Sequence, residues 1–596
     1  MEMWERNLDV LARTTPELVA LLRNSGDEKG LTVERARNGE LTVKRDGIYL
    51  HSSFDPSREA AGWVEKLGGD SASPLTVAGF GLGYHLKALA EAGFRGTFIE
   101  PDVALFRLAM QNLDMVQVLE RFQPLVGLSA GQLRRAHRDL LAGRLVAHPP
   151  SVRTSPDCLG EITNFADALA RIRQGGLKIL LVNPLAGGSL PAAHHCAAAL
   201  TRQGHEVVTF AAEAFAAGME FCNRYTLPEH RQTSLNGLET YLSGAVELLA
   251  RECEPDLVLA LAQAPLLSPT LQRFRSMGIP TAFWFVEDYS LLPYWRTLAA
   301  DYGYFFAIQH GRFTEELARA GVRHQAYLPT AAAPEVHLPL QLDDAERQEY
   351  GSPLSFVGAG YHNRQHFFRG LIDYPFRIWG SDWPLTPPLA PFIQRQAARI
   401  SPLDCVKIFN ASTINLNLHS STHHLGIDPA GDFVNPRTFE IAACDAFQLV
   451  DRRSHMAELF ADDEMETFTS MGELRDKIDH YLHHDGDRRR LSARARNRVL
   501  KEHTYDARME ELLALMYSVF PSIGVRHRDR LAKKEAGRAE MQRIPGFGDI
   551  LKRIPAGKDA TLQNICAVIS TGSGSLSRSE KIFLMMRNIR YDMGDE

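Results

Sequence analysis

Leu177-Lys178-Ile179-Leu180-Leu181-Val182-Asn183-Pro184 is apolar at nearly every position over one strand length, the pattern of a strand covered on both faces. Gly187-Gly188-Ser189 then opens a helical stretch from Ala192 to Arg202, and Glu206-Val207-Val208-Thr209-Phe210 reads as the next strand. The alternation continues through strands at Leu257–Leu261, Thr281–Val286 and Tyr304–Ile308. Parallel neighbours need a crossover, most often a helix. This order of elements therefore predicts a doubly wound α/β sheet, with ligands beyond the C-terminal ends of its strands. Arg173-Gln174-Gly175-Gly176, just before the first strand, reads as a linker.

A separate unit precedes it, to about residue 170. Leu41–Lys44 and Ile48–His51 read as short strands around the turn at Asp46-Gly47. Leu75–Ala78 is an apolar strand entering Gly79-Phe80-Gly81-Leu82-Gly83, followed by a helix from Leu86 to Ala92 and a strand Thr97-Phe98-Ile99-Glu100. Glycines let a nucleotide approach the backbone closely, and a strand-end carboxylate suits ribose hydroxyls. Gly79, Gly81, Gly83 and Glu100 are thus the candidate site of this unit. The competing reading is a scaffold or retired site, because no acidic or Asn-Pro-Pro-Tyr-like element follows to serve methyl transfer.

Further on, Ile414-Asn415-Leu416-Asn417-Leu418-His419 alternates apolar and polar residues at period two and reads as a strand. A polar loop leads to Asn435-Pro436-Arg437-Thr438-Phe439-Glu440, the first turns of a helix packed through Ala442 and Ala443. Arg437 can fork onto phosphate oxygens, and helix N-terminal amides favour the same anion. Glu440, one turn on, can accept hydrogen bonds from both hydroxyls of a ribose. The same residues also suit a capped helix with a purely structural Arg437–Glu440 pair.

At 596 residues the chain exceeds one core, and three to four domains are expected. A net charge of −6 excludes a general drive toward nucleic acid or anionic membrane. Seven cysteines without a Cys-x-x-Cys pair suit a reducing cytoplasm rather than a disulfide framework. Met1-Glu2-Met3-Trp4-Glu5-Arg6 lacks a signal-peptide core, and no apolar run approaches the ~20 residues of a membrane span. The expectation is a soluble, cytoplasmic protein. From about Pro521 the chain turns basic and helix-prone through Arg526, Arg528, Arg530, Lys533, Lys534 and Arg538, a solvated helix interrupted at Pro545-Gly546 and Pro555-Ala556-Gly557.

Five landmarks between Leu354 and Met516 stand in the order found in the CgeB-like glycosyltransferases, and this stretch resembles their sugar-nucleotide-binding half. They are Ser355–Arg364, Arg377–Trp383, the Asn415 strand, Arg437–Glu440 and His503-Thr504-Tyr505-Asp506-Ala507-Arg508. The glycine loop around Gly81 resembles the entry motif of S-adenosylmethionine-dependent methyltransferases. Together with Leu50–Pro56, it more closely resembles the Rossmann-like domain of the Maf flagellin-modifying proteins. The resemblance implies a GT-B glycosyltransferase, made of two Rossmann-like doubly wound domains at 177–335 (acceptor side) and 339–518 (donor side). An additional Rossmann-like domain at 1–170 precedes them, and a basic helical tail at 519–596 follows. The implied activity is transfer of a sugar from a nucleotide-sugar to a protein or glycan acceptor by a bacterial-type cytoplasmic enzyme, with no nucleic-acid partner and no transmembrane segment.

GT-B enzymes neutralise the leaving diphosphate with helix N-termini and basic side chains, so the resemblance implies that no metal or other cofactor is required. It points to Asn363, Arg364, His419, Asn435, Arg437 and Glu440 as donor-binding residues. Asp432, eight positions before Glu440, resembles in spacing the paired glutamates of many retaining GT-B enzymes, but the first position is Asp and its surroundings differ, so the resemblance does not settle stereochemistry. Glu287 and Asp288 end a buried strand and are candidate catalytic bases, although a turn and helix cap is an equal reading of Asp288. His195, beside His194 on the helix after the Gly187-Gly188 loop, is a further candidate base. The His419–His424 stretch lacks ligand partners for zinc. A hinge between Thr330 and Pro339 should close the two domains over the donor. At most weak nucleotide or S-adenosylmethionine binding is expected of the N-terminal loop. Two alternatives stay open, a methyltransferase fused to the transferase and a GT-B-shaped binding protein without catalysis.

Overall fold

The computed structural model describes residues 2–24, 26, 30–422, 424–428, 430–543, 547–555, 561–572 and 574–592. His423 and the interruptions expected at Pro545-Gly546 and Ala556-Gly557 lie outside the described residues. The chain divides into two compact units, Met1–Phe520 and Pro521–Glu596.

The larger unit holds three parallel sheets in sequence. An antiparallel set opens it, formed by β1 (Leu31–Arg35), β2 (Leu41–Arg45) and β3 (Ile48–Tyr49). The first parallel sheet follows, with β4 (Leu75–Ala78), β5 (Gly96–Glu100), β6 (Phe122–Val126) and β7 (Leu145–Ala147) in the order β6-β5-β4-β7. The second is built from β8 (Lys178–Val182), β9 (Glu206–Phe210), β10 (Leu257–Leu261), β11 (Thr281–Phe285), β12 (Tyr304–Ala307) and β13 (Gln325–Tyr327). Its order is β13-β12-β11-β10-β8-β9, so the winding reverses between β8 and β10. The third contains β14 (Leu354–Val357), β15 (Phe376–Trp379), β16 (Ile414–Asn417), β17 (Gln448–Asp451) and β18 (Glu466–Phe468), ordered β15-β14-β16-β17-β18. Every residue of β10, β11 and β12 is buried, as continuous apolar strands between two helix layers must be.

Strand β16 departs from its sequence pattern in an informative way. It alternates apolar and polar residues, yet all four are buried. The polar face is satisfied inside the protein. Ser355 Oγ donates to Asn415 Oδ1 at 3.0 Å, and Asn417 Nδ2 donates to Thr438 Oγ1 at 3.0 Å and Gln448 Oε1 at 3.2 Å. Buried amides are tolerable only when bonded in this manner.

The chain crosses back after the third sheet. Thr504 caps the helix Tyr505–Val519, which packs on the helices Glu161–Ile172 and Ser189–Arg202. On the way, Ala332 N donates to His503 O at 2.9 Å and Tyr505 N donates to Ala332 O at 3.0 Å. Arg508, fully buried, donates from Nε to Pro329 O at 2.7 Å and from NH1 to Glu502 O at 2.9 Å. Thr330 to Ala333, the start of the expected hinge, is therefore buried and bonded to the returning chain.

The C-terminal unit is helical, with Ser522–Gln542, Phe547–Arg553, Leu562–Ser570 and Arg578–Asp592. Phe547, Ile550, Leu551, Ile565 and Ile569 form its small core, against which Phe583 and Leu584 pack. Among the described residues no helix is long and apolar enough to cross a membrane.

Candidate active site

Loops beyond the C-terminal ends of strands in the second and third sheets touch each other. Arg399 NH2, from the third-sheet domain, donates to Gly187 O at 3.3 Å, over the glycine loop that follows β8. On the other flank Gln309 Nε2, beyond β12, donates to Asp432 Oδ1 at 2.7 Å.

On the donor side, Asn435 caps the helix Pro436–Ala443. Its Oδ1 accepts from Thr438 N at 3.2 Å, while its Nδ2 donates to Asn417 Oδ1 at 2.8 Å. The side chain is buried and shapes the loop, leaving no free donor for a phosphate. Arg437 and Glu440 form an ion pair, and the Arg437 guanidinium also lies over the Phe409 ring at 5.6 Å. Burial pushes the Glu440 carboxyl up, but Arg437, and after it His337, outweigh burial and hold it below the usual carboxylate range. His337 Nδ1 accepts from Ala333 N at 3.0 Å, so the proton of a neutral ring sits on Nε2, which faces Glu440 Oε1 at 4.0 Å. His195 comes from the second-sheet side, with its ring 5.5 Å from His337 and 5.0 Å from Tyr505. Burial, then His337, lowers its pKa to about 4. The candidate acceptor-side base thus lies beside the donor-side carboxylate, as a neutral imidazole.

Three expected donor ligands are occupied elsewhere. His419 was expected near the sugar or phosphate. Its ring is instead buried, with Nδ1 bonded to Asp451 Oδ1 at 2.6 Å and Nε2 accepting from Asn435 N at 2.9 Å. Both nitrogens are used, so His419 is a strut that ties the ends of β16 and β17 to the donor helix. Asn363 Nδ2 donates to His419 O at 2.8 Å and Gly426 O at 3.1 Å, and its Oδ1 accepts from Ser421 N at 3.0 Å. Arg364 donates from Nε to Leu418 O at 2.8 Å and from NH1 to Ala359 O at 3.0 Å, and burial lowers its pKa to about 10. These side chains hold the loops of the donor domain in place.

On the acceptor side, Glu287 follows β11. It accepts from Gln263 Nε2 at 2.6 Å, Tyr294 Oη at 3.1 Å and Ser189 Oγ at 3.3 Å. Burial raises its pKa, with those three hydrogen bonds opposing. Ser189 begins the helix after the Gly187-Gly188 loop, so the carboxylate sits against that loop. Asp288 differs. Its Oδ1 accepts from Ser290 N at 2.9 Å and Ser290 Oγ at 2.7 Å, the local turn that its sequence also allowed. Sequence reasoning passed over Gln263, Tyr294, His337 and Arg399. Gln263 holds a left-handed backbone at φ +65°, and no local pattern announced it.

The N-terminal glycine loop is closed from within. Phe80 N and Gly81 N donate to Glu100 Oε2 at 2.9 and 3.4 Å, and Leu82 N donates to His51 Nε2 at 2.8 Å. Gly81 has φ +55°, and a Cβ there would stand 2.5 Å from His51 Nε2. The glycine thus makes room for an imidazole. The cavity beside Glu100 measures about 130 Å³, well under the ~300 Å³ at which small-molecule sites begin. His51, His85 and His148 come within metal-ligand reach of one another. His85 and His148, however, stack at 4.2 Å with 8° between their planes, so one ion cannot lie in both rings.

Two parallel doubly wound sheets facing each other with a returning terminal helix make this part of the molecule a GT-B glycosyltransferase fold. Residues 364–514, the stretch carrying Arg364, Arg437 and Glu440, match the family described as Glycosyl transferase-like. Spore protein CgeB of Bacillus subtilis (strain 168) is 27% identical over 178 residues, 28% of this chain and 54% of that protein. The chain therefore spans about half the length of this curated relative. Among solved structures, sucrose-phosphate synthase from Thermosynechococcus elongatus is similar with a TM-score of 0.40 and 12% identity, covering 60% of this chain and 100% of that one. Anabaena HepE in complex with UDP and glucose has a TM-score of 0.40 and 12% identity, covering 56% of this chain and 98% of that one.

Proposed function

We propose that this protein transfers a sugar from a nucleotide-sugar donor to a protein or glycan acceptor, without a metal ion. The observation that carries this reading is Glu287. It is a carboxylate at the C-terminal end of β11, with a raised pKa, held against the glycine loop over which Arg399 of the facing domain reaches. A base with a raised pKa suits removal of a proton from an attacking hydroxyl. Arg399 and the partly exposed Arg437 would meet the charge that grows on the leaving diphosphate. Glu440 would accept the ribose hydroxyls, trading part of its pairing with Arg437 for them.

HepE has been solved in complex with UDP and glucose and with UDP-glucose, and a UDP-sugar is the first donor to try here. The test is turnover of a set of nucleotide-sugars, with and without chelator, by the wild type and Glu287→Gln. Hydrolysis or transfer by the wild type in chelator, with loss in the variant, is the expected outcome. Turnover that stops with chelator would remove the metal-independent scheme. A methyltransferase role for the N-terminal domain finds no support in a loop whose amides are bonded to Glu100 and His51, and we read that domain as a scaffold.

A further inference from the structure

Behind the Gln309–Asp432 contact, the three sheet domains meet around a cavity of about 350 Å³, a volume suited to a small ligand. The helix Ala130–Ala136 of the first domain, β13 of the second and Glu458 of the third supply walls of it. Two arginines enter it from that helix and differ in their partners. Arg134 is neutralised, pairing with Glu161 and with Glu511 Oε1 at 3.4 Å. Arg135 is not. Its side chain is only 8% exposed, and its nearest acid, Glu458 Oε2, stands 3.9 Å away. Among the described residues no acceptor takes a hydrogen bond from its guanidinium, which lies 5.5 Å from the Tyr327 ring. Tyr327 Oη is also buried without a hydrogen-bond partner, and burial pushes its pKa up, so it remains a hydroxyl donor.

The surrounding groups add donors rather than acceptors. Glu458 Oε1 already accepts from His310 Nε2 and His455 Nδ1, both at 3.1 Å. One carboxylate is thus shared by two imidazoles and a guanidinium. A buried cation with unused donors is costly unless something supplies acceptors. We propose that this cavity is a binding site for a small anionic ligand, one bearing a phosphate or carboxylate group, seated on Arg135 and Tyr327. Such an anion takes the guanidinium fork and the phenol hydroxyl together. A divalent cation on His310, His455 and Glu458 fits less well, because the His310 and His455 rings stack at 3.5 Å and Arg135 would repel it.

The test uses the full chain saturated with a nucleoside diphosphate, so that the sugar-donor site is not the one being read. Inorganic phosphate and citrate are titrated separately by calorimetry and by thermal shift, with Zn²⁺ as a third arm. At least one anion should give saturable binding to the wild type, weakened about tenfold or more in Arg135→Gln and several-fold in Tyr327→Phe, while both variants keep nucleoside diphosphate affinity. Preference for phosphate or for citrate identifies the class of ligand. Equal anion affinity in all three proteins overturns the proposal, as does no anion binding by the wild type, or Zn²⁺ binding that His310→Ala abolishes in place of anion binding. Should Arg135→Gln fail to fold, an unchanged affinity in Tyr327→Phe overturns it alone.

Discussion

Arg437 and Glu440, one helical turn apart on the donor helix, are each other's ion-pair partner, and His337 stands 4.0 Å from the same carboxylate. The pair joins the two readings that its sequence allowed. It is a structural contact in the free protein, and it also presents a polarised carboxylate beside a partly exposed guanidinium. If Glu440 receives the ribose, Glu440→Ala should weaken nucleoside diphosphate binding by about 1.5–3 kcal/mol, the worth of hydrogen bonds to a charged group. Calorimetry on a folded variant with unchanged affinity would place the ribose elsewhere.

Arg437→Ala should do more, because the guanidinium would meet phosphate in the ground state and more strongly as the leaving group gains charge. Both donor affinity and turnover should fall. A variant that lost only affinity would show that Arg437 makes no contact peculiar to the transition state.

Glu287 and Asp288 are adjacent, yet their surroundings separate them. Glu287→Gln should lower turnover by about 10²–10⁴-fold with donor affinity nearly kept. Asp288→Asn should stay within a few-fold of wild type, since its carboxylate serves the Ser290 turn. The reverse ranking in a steady-state assay would exchange the two roles.

His419 should matter for folding rather than for donor recognition. Replacing it by Ala removes the partner of the buried Asp451 and of Asn435 N, and should cost about 2–4 kcal/mol in urea unfolding. A His419→Ala protein of normal stability but poor donor affinity would contradict the strut role.

Acid should destabilise the protein through the same group. Burial lowers the pKa of His419 and of His85 from 6.5 to about 4. Between those values the unfolded chain takes up protons that the folded chain does not, so stability rises with pH there. Their contribution is complete above about 6.5 and lost as pH falls toward 4, of order a few kcal/mol each. Unfolding midpoints measured from pH 7.5 to 4.5 should fall steadily. A flat profile would mean that these imidazoles reach water and charge in the native state.

The N-terminal domain should give no methyl transfer and no more than weak nucleotide binding. Its loop amides already have acceptors in Glu100 and His51, and a ligand would have to displace them. Multiple turnovers in a radiolabelled methyl-transfer assay would overturn this.

Much of the architecture was legible along the chain. Strands such as β8 and β10 are continuous apolar runs, helix starts carry caps such as Asn435 and Thr504, and the Asn435–Glu440 element is marked by its own residue types. These are local signals, set by period, propensity and hydrogen bonding within a few residues. What local signals could not decide was the partner of each polar side chain. Asn363, Arg364 and His419 are the residue types that bind phosphates, but their acceptors are backbone carbonyls and a carboxylate brought close only by the third sheet. Glu100 likewise turns back onto the glycine loop it was expected to serve. The raised pKa of Glu287 and the open donors of Arg135 also arise from burial among residues distant in sequence. Residue type sets what a side chain can bond to. Only the packing of the sheets decides which of those bonds are already made inside the protein, and so which groups are left to meet a substrate.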